Sequence, residues 1–261
     1  MRQRSTEWRR ARLGDVTASR FHEVLTNPST TGVHPVIGKR GEWFVEGTGK
    51  LPYTKKADAE AARKEALAVW KEENWSASAE AYLDEKLAEM ISGVPLDVWR
   101  HKATDWGMQN EPHAFEASIP VIQERFGEEL SLPVDEFAYI HHPTEPYIGC
   151  SPDGVMGKDG LLEIKCPYNG AKWISMYRNG LTVPKEYVPQ VQGSLWVTGR
   201  TWYAFCYYDP RVTNSGLDPL LVTRIERDDD YIDNVLAPKV LRFRDYLRAE
   251  YAKMVASREP F

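Results

Sequence analysis

The sequence predicts an α/β fold, with a central mixed β-sheet flanked by α-helices. Three observations predict it. The short apolar runs Val155-Met156 and Leu161-Leu162 are separated by Gly157-Lys158-Asp159-Gly160, and Asp159-Gly160 is a strong hairpin signal. The stretches Thr201–Tyr208 and Leu220–Ile225 are rich in β-branched and aromatic residues and read as strands. Between and around them, residues 57–73, 77–92, 98–126, 169–180, 186–198 and 228–257 read as helices. The 261 residues suffice for one sizeable domain or two small ones. We read a single domain, 1–261, with a basic helical and loop region (about 1–95) packed on a core (about 96–261).

Composition is that of a soluble globular protein. No apolar run approaches the ~20 residues that span a bilayer, and the N-terminus lacks the apolar centre of a signal peptide. Cys150, Cys166 and Cys206 form no Cys-x-x-Cys pair, so they read as reduced, buried thiols of a cytoplasmic protein with no zinc site. The net charge of −5 argues weakly against a nucleic-acid partner, but its distribution is uneven. Residues 1–71 hold 14 Lys/Arg and 8 Asp/Glu, a net of +6, and the remainder is −11. The basic surplus could meet phosphates.

In order along the chain, residues 5–27 read as a turn and a short helix, with Thr17 or Ser19 able to cap it and Phe21, Val24 and Leu25 on its apolar side. Residues 28–56 are rich in Gly, Pro, Ser and Thr and carry Lys39, Arg40, Lys50, Lys55 and Lys56. They read as a long exposed loop that, with Trp43, Phe44 and Tyr53, could grip a duplex or could be a solvated insertion. In the helix 77–92, Tyr82, Leu87, Met90 and Ile91 suit a buried face. The helix 98–126 should kink or restart at Pro112, with Trp106, Phe115 and Ile119 inward. Strands follow at about 129–133, 137–142 and 147–150. His141 and His142 are adjacent in a strand and face opposite ways, so a structural role suits them better than one shared ion.

The chemistry concentrates between Ser151 and Pro167. Side chains alternate along a strand, so Glu163 and Lys165 share one face and Ile164 takes the other. The hairpin folds Asp153 back toward Glu163, and two carboxylates and an ammonium converge. Such a cluster suits Mg²⁺, which takes oxygen ligands and usually one or two carboxylates. A lysine beside it can orient a water or accept its proton. A surface hairpin with an ordinary Glu/Lys pair is the alternative, but Asp-Gly before a hairpin ending apolar-Glu-apolar-Lys is a much narrower pattern.

This stretch resembles the Asp…Glu-x-Lys core of the PD-(D/E)xK (restriction-endonuclease-like) nucleases. Cys150-Ser-Pro-Asp-Gly and Leu162-Glu-Ile-Lys-Cys-Pro are similar to the lambda-exonuclease-like, YqaJ-type viral recombination nucleases. Trp8 through Arg20 resembles that family's N-terminal segment, and Trp106-Gly-Met-Gln-Asn-Glu111 its helix with a further acidic residue. Tyr187-Val-Pro-Gln-Val-Gln-Gly-Ser-Leu-Trp-Val resembles its glutamine helix, and Tyr203-Ala-Phe-Cys-Tyr-Tyr-Asp-Pro-Arg the strand after it. The likeness covers most of the chain except about residues 28–95 and the last helix.

The resemblance implies a metal-dependent 5′→3′ exonuclease on double-stranded DNA ends, releasing mononucleotides and leaving a 3′ overhang for single-strand annealing. It implies two Mg²⁺ ions per site, with Mn²⁺ able to substitute. Asp153, Glu163 and the Ile164 backbone carbonyl would hold one, and Glu111 would contribute to the other. Lys165 would activate or orient the water. Arg12, Ser19, Ser151 and Gln190 would hold the 5′-phosphate. It also implies a ring-shaped homotrimer, a single-strand annealing partner and the host cytoplasm, with no membrane. Two other readings stand beside it: a PD-(D/E)xK endonuclease of the restriction or branch-resolving kind, and a non-catalytic DNA-end binding subunit.

Overall fold

The computed structural model describes residues 3–30, 35–37, 43–45, 53, 55–96, 102–133, 135 and 138–256. The chain divides into two compact units, Met1–His22 with Glu85–Phe261, and Glu23–Asp84.

In the smaller unit, β2 (Pro35–Ile37) pairs antiparallel with β3 (Trp43–Val45), so the span expected to be a loop holds a short hairpin. Lys39, Arg40 and Lys50 lie outside the described residues, as do the side chains of Trp43 and Phe44. Helix α3 (Lys56–Glu73) is Ala-rich, and its Trp70 indole donates to the Ser29 carbonyl (2.6 Å). Ser76 Oγ accepts the Ala79 amide (3.2 Å) at the start of α4 (Ala77–Ser92), an N-cap bond that satisfies an orphan donor. Tyr82 and Leu87 are buried as expected, but Ile91 is exposed, because helical periodicity puts Leu83 rather than Ile91 on the buried stripe.

In the larger unit, a five-stranded mixed sheet runs in the order β10 (Leu220–Glu226), β9 (Trp202–Tyr208), β8 (Gly160–Lys165), β7 (Gly154–Met156), β4 (Leu130–Ser131). β8 and β9 are parallel and the other pairs antiparallel. Alternation sorts the side chains between two layers. Leu162, Ile164, Trp202, Ala204 and Cys206 meet Ala114, Phe115 and Ile122 of α5 (Lys102–Phe126). Leu161, Tyr203, Phe205 and Tyr207 meet Trp173 and Met176 of α6 (Gly170–Arg178) and Val191 and Leu195 of α7 (Val188–Thr198). Full burial of one such leucine contributes about 1.5–3 kcal/mol. Glu163 and Lys165 have the parity of Leu161 and therefore lie on the α7 side.

Helix α5 runs through both Pro112 and Pro120, so the break expected at Pro112 does not end it. Its packing on the sheet outweighs the one lost hydrogen bond per proline. Ile119, expected inward, is exposed, while Ala114, Phe115, Ser118 and Ile122 form the buried stripe. The chain end is also subdivided: α8 (Asp229–Tyr231), a π-helical turn at Ile232–Leu236, then α9 (Ala237–Ala256).

A second sheet has the order β1 (Val16–Thr17), β6 (Ile148–Cys150), β5 (Ile140–His141). The short strand β1 was not expected. It pairs parallel with β6, Val16 opposite Ile148, and so lays the N-terminal segment beside Ser151. Ahead of it stands α1 (Thr6–Ala11), capped by Ser5 Oγ on the Trp8 amide (3.2 Å). After it, a 3₁₀ turn (Ala18–Arg20) leads into α2 (Phe21–Leu25). Thr17 occupies the cap position of that turn but makes no side-chain capping bond, and Ser19 lies within the turn rather than ahead of it. Among the described residues, no helix is long and apolar enough to cross a membrane.

Candidate functional site

One cavity of about 200 Å³ in the larger unit is lined by all nine residues singled out from sequence: Arg12, Ser19, Glu111, Ser151, Asp153, Glu163, Ile164, Lys165 and Gln190. They arrive on five separate parts of the chain. The hairpin register sets the centre. Gly154 lies opposite Leu162, the Asp153 amide donates to the Leu162 carbonyl (2.9 Å), and the Ile164 amide donates to Asp153 Oδ2 (2.8 Å). That pins the Asp153 carboxylate beside Glu163.

Glu163 is only 2% exposed, so its charge requires partners. Lys165 Nζ donates to its Oε1 (2.5 Å), Gln190 Nε2 donates to the same oxygen (2.6 Å), and Tyr203 Oη contacts Oε2 at 3.4 Å. Burial pushes the Asp153 carboxyl well above its ordinary value, and the nearby charges of Glu163 and Glu111 add to that. Burial pulls Lys165 downward, but Glu163 and Asp153 more than offset it and hold the ammonium charged. The Lys165 ammonium also stands 5.1 Å from the Tyr187 ring centre, a cation–π distance. Burial raises the Tyr203 phenol far above its usual value, so it remains a donor.

The donor set fits a hard divalent cation. Asp153 and Glu163 are carboxylates near enough that, after burial, the Glu163 charge is the next cause raising Asp153, and oxygen ligands of this kind suit Mg²⁺. Among the described residues, no group of three or more His, Cys, Asp or Glu side chains is gathered in metal-holding geometry. Glu111 lines the same cavity, but its Oε2 accepts from Arg4 Nη2 (2.5 Å).

The polar end of the cavity is built by the N-terminal segment. Trp8 Nε1 donates to Ser151 Oγ and to the Ala138 carbonyl, both at 2.9 Å. The Arg12 guanidinium stacks 4.1 Å from the Trp8 ring centre, and its Nη2 reaches Thr17 Oγ1 at 3.4 Å. Thr17 Oγ1 lies 3.4 Å from Ser19 Oγ. Gln3 Nε2 donates to the Pro152 carbonyl (2.6 Å). Arg4, Gln3, Tyr203 and the orienting role of Trp8 were not anticipated. Short-range patterns carry no signal for them, since Trp8 and Ser151 are 143 positions apart. Gly193 was missed as well: a methyl group there would lie 2.6 Å from Phe21 Cε2, so glycine lets α7 approach the segment carrying Ser19.

His141 and His142 do face different ways. His141 Nδ1 lies 3.1 Å from Asp15 Oδ2, while His142 Nδ1 accepts the Glu145 amide (3.1 Å). The three cysteines are free and buried.

Residues 7–201 match the YqaJ-like viral recombinase domain. The chain belongs to this family. Among solved structures, the YqaJ-like chain is similar to an alkaline exonuclease from Laribacter hongkongensis, at 29% identity, 97% coverage of each chain and a TM-score of 0.67. The same enzyme in complex with dAMP matches at 29% identity, 96% coverage of each chain and a TM-score of 0.67. A phage related exonuclease from Haemophilus somnus 129PT, at 14% identity, 94% of this chain, 96% of that chain and a TM-score of 0.53, shares the fold. No curated protein sequence matches the YqaJ-like chain. Its fold is of the PD-(D/E)xK type, a mixed sheet between helical layers, as its sequence predicts.

Proposed function

We propose that this protein is a divalent-metal-dependent 5′→3′ exonuclease that shortens double-stranded DNA from its ends. The observation that carries the reading is the convergence of Asp153, Glu163 and Lys165 with Arg12, Ser19, Ser151 and Gln190 around one cavity. Membership of a viral recombinase family and likeness to an alkaline exonuclease solved with a mononucleotide support it.

Asp153, Glu163 and the Ile164 carbonyl would hold one ion, and Glu111 a second, with Mg²⁺ the expected metal. A divalent ion there stabilises the oxygens exchanged at phosphorus. Arg12, stacked on Trp8, and the hydroxyls of Ser19 and Ser151 present donors to a terminal phosphate. Gln190 links that end to Glu163. Holding the terminus fixes the next phosphodiester over the carboxylates, which is catalysis by positioning. Lys165, held as an ammonium by Glu163 and Asp153, orients the attacking water.

The finer reading follows the family: processive release of mononucleotides, a 3′ overhang passed to a single-strand annealing protein, a homotrimeric ring, and action in the host cytoplasm as a single nuclease domain. A time course on linear duplex labelled at either end, with Mg²⁺ or with chelator, tests activity, polarity and metal need together. Early release of 5′-terminal mononucleotide only with Mg²⁺ is expected. Rapid cutting of covalently closed plasmid would favour the endonuclease alternative. Binding of duplex ends with no digestion would favour a non-catalytic subunit.

A further inference from the structure

Arg4 has a place in the site that the proposed reaction does not use. Its Nη2 lies 2.5 Å from Glu111 Oε2, across 107 positions of sequence. Both side chains line the cavity that holds Asp153, Glu163 and Arg12. Two local features aim it there. Arg4 has φ of +66°, a left-handed conformation that bulky residues rarely adopt, and the neighbouring Gln3 is tied to the Pro152 carbonyl at 2.6 Å. The pair is also accessible, with side chains 45% and 29% exposed, so the contact can exchange.

A guanidinium paired with Glu111 and a divalent cation compete for the charge of the same carboxylate. An arginine released from Glu111 would still face the cavity, where its fork of donors matches a phosphate. We propose that Arg4 is a two-position positioning residue. It pairs with Glu111 until a divalent ion displaces it, and it then turns to the phosphate of the bound DNA strand. The proposal rests on the metal-nuclease reading of this site.

The two positions give effects of opposite sign. Removing Arg4 removes a competitor for Glu111, so Arg4→Ala should bind Mn²⁺ about two- to fivefold more tightly, as expected for losing an exposed ion pair. The same variant should bind a 5′-phosphorylated duplex end more weakly in Ca²⁺ by a similar factor. A purely structural role would weaken both.

Mn²⁺ binding is read by electron paramagnetic resonance of free ion and DNA binding by fluorescence anisotropy, neither of which needs turnover. Thermal melting confirms that each variant is folded. The deciding measurement is a cycle with Glu111→Gln, in which the effect of Arg4→Ala on Mn²⁺ should vanish. Persistence of that effect would mean that Arg4 acts by long-range charge alone, and would overturn the proposal. So would Mn²⁺ affinity equal to the parent's, or unchanged DNA affinity. If the parent and Asp153→Asn bind Mn²⁺ alike, the metal site itself is refuted, and the role of Arg4 falls with it. If Asp153→Asn loses the ion and Arg4→Ala matches the parent, only the Arg4 proposal fails.

Discussion

Gly193→Ala tests whether the close approach of α7 to the N-terminal segment assembles the phosphate end of the site. A Cβ at 193 would lie 2.6 Å from Phe21 Cε2, nearer still to Cδ2, and 3.5 Å from Ala18 Cβ. Ordinary carbon–carbon contacts lie near 3.5–4.0 Å, so ring and helix must separate by roughly 1 Å. Phe21 is fully buried, with the Trp196 ring 6.2 Å away, and has little room to turn aside. Overpacking of this kind costs about 1–3 kcal/mol, or a fall in Tm of roughly 3–10 °C for a chain of this size. The functional loss should be larger than the stability loss. Ser19 precedes Phe21 by two residues and Gln190 sits one turn before Gly193, so the separation opens the pocket between them. A displacement near 1 Å can reduce turnover about a hundredfold. The assay compares digestion of 5′-phosphorylated and 5′-hydroxyl linear duplexes, alongside thermal melting. Gly193→Ala should lose most of its preference for the phosphorylated end, and adding Phe21→Leu should return part of both stability and preference. A Gly193→Ala protein that melts and discriminates like the parent would refute the reasoning.

Lys165→Ala should abolish digestion while duplex binding in Ca²⁺ remains within a few fold; retained turnover would remove Lys165 from the mechanism. Arg12→Ala should lose about 1–3 kcal/mol of end recognition, about 5- to 150-fold, on 5′-phosphorylated ends and little on 5′-hydroxyl ends, measured by competition binding. Cys150, Cys166 and Cys206 have thiols pushed up to about 12 by burial, so the folded protein should react with a thiol reagent at pH 8 only as fast as it opens; prompt labelling would contradict this. Burial raises the Asp15 carboxyl above 3.8, against the Tyr139 hydroxyl bond (2.7 Å) and the charges of His141 and Lys86. The folded state therefore holds a proton that the unfolded chain has released, and stability falls as pH rises through that window. In Asp15→Asn that decline should disappear, so the Tm difference from the parent should grow with rising pH and then level off.

The sequence by itself determined the centre of the site. Period-two alternation puts Glu163 and Lys165 on one face, and the turn at Gly157–Asp159 returns Asp153 to them, because both relations span a few bonds of regular strand. The aromatic and β-branched content of Thr201–Tyr208 announced β9, whose odd and even residues serve the two helical layers. Periodicity was less informative on α5, where Ile119 and Pro112 misled. The helix face and its continuity were decided by what the sheet offered to pack against.

Only the tertiary structure decided the periphery. The parallel pairing of Val16 with Ile148 rests on two residues in β1, too short to show in any pattern, yet it carries Trp8 to Ser151 and Arg12 to the cavity. The Arg4–Glu111 ion pair, the Gln190 bond to Glu163 and the clearance at Gly193 each depend on where two distant segments come to rest. Such contacts are set by the packing of whole layers, whose free energy is summed over many side chains, and no local run of residues encodes them.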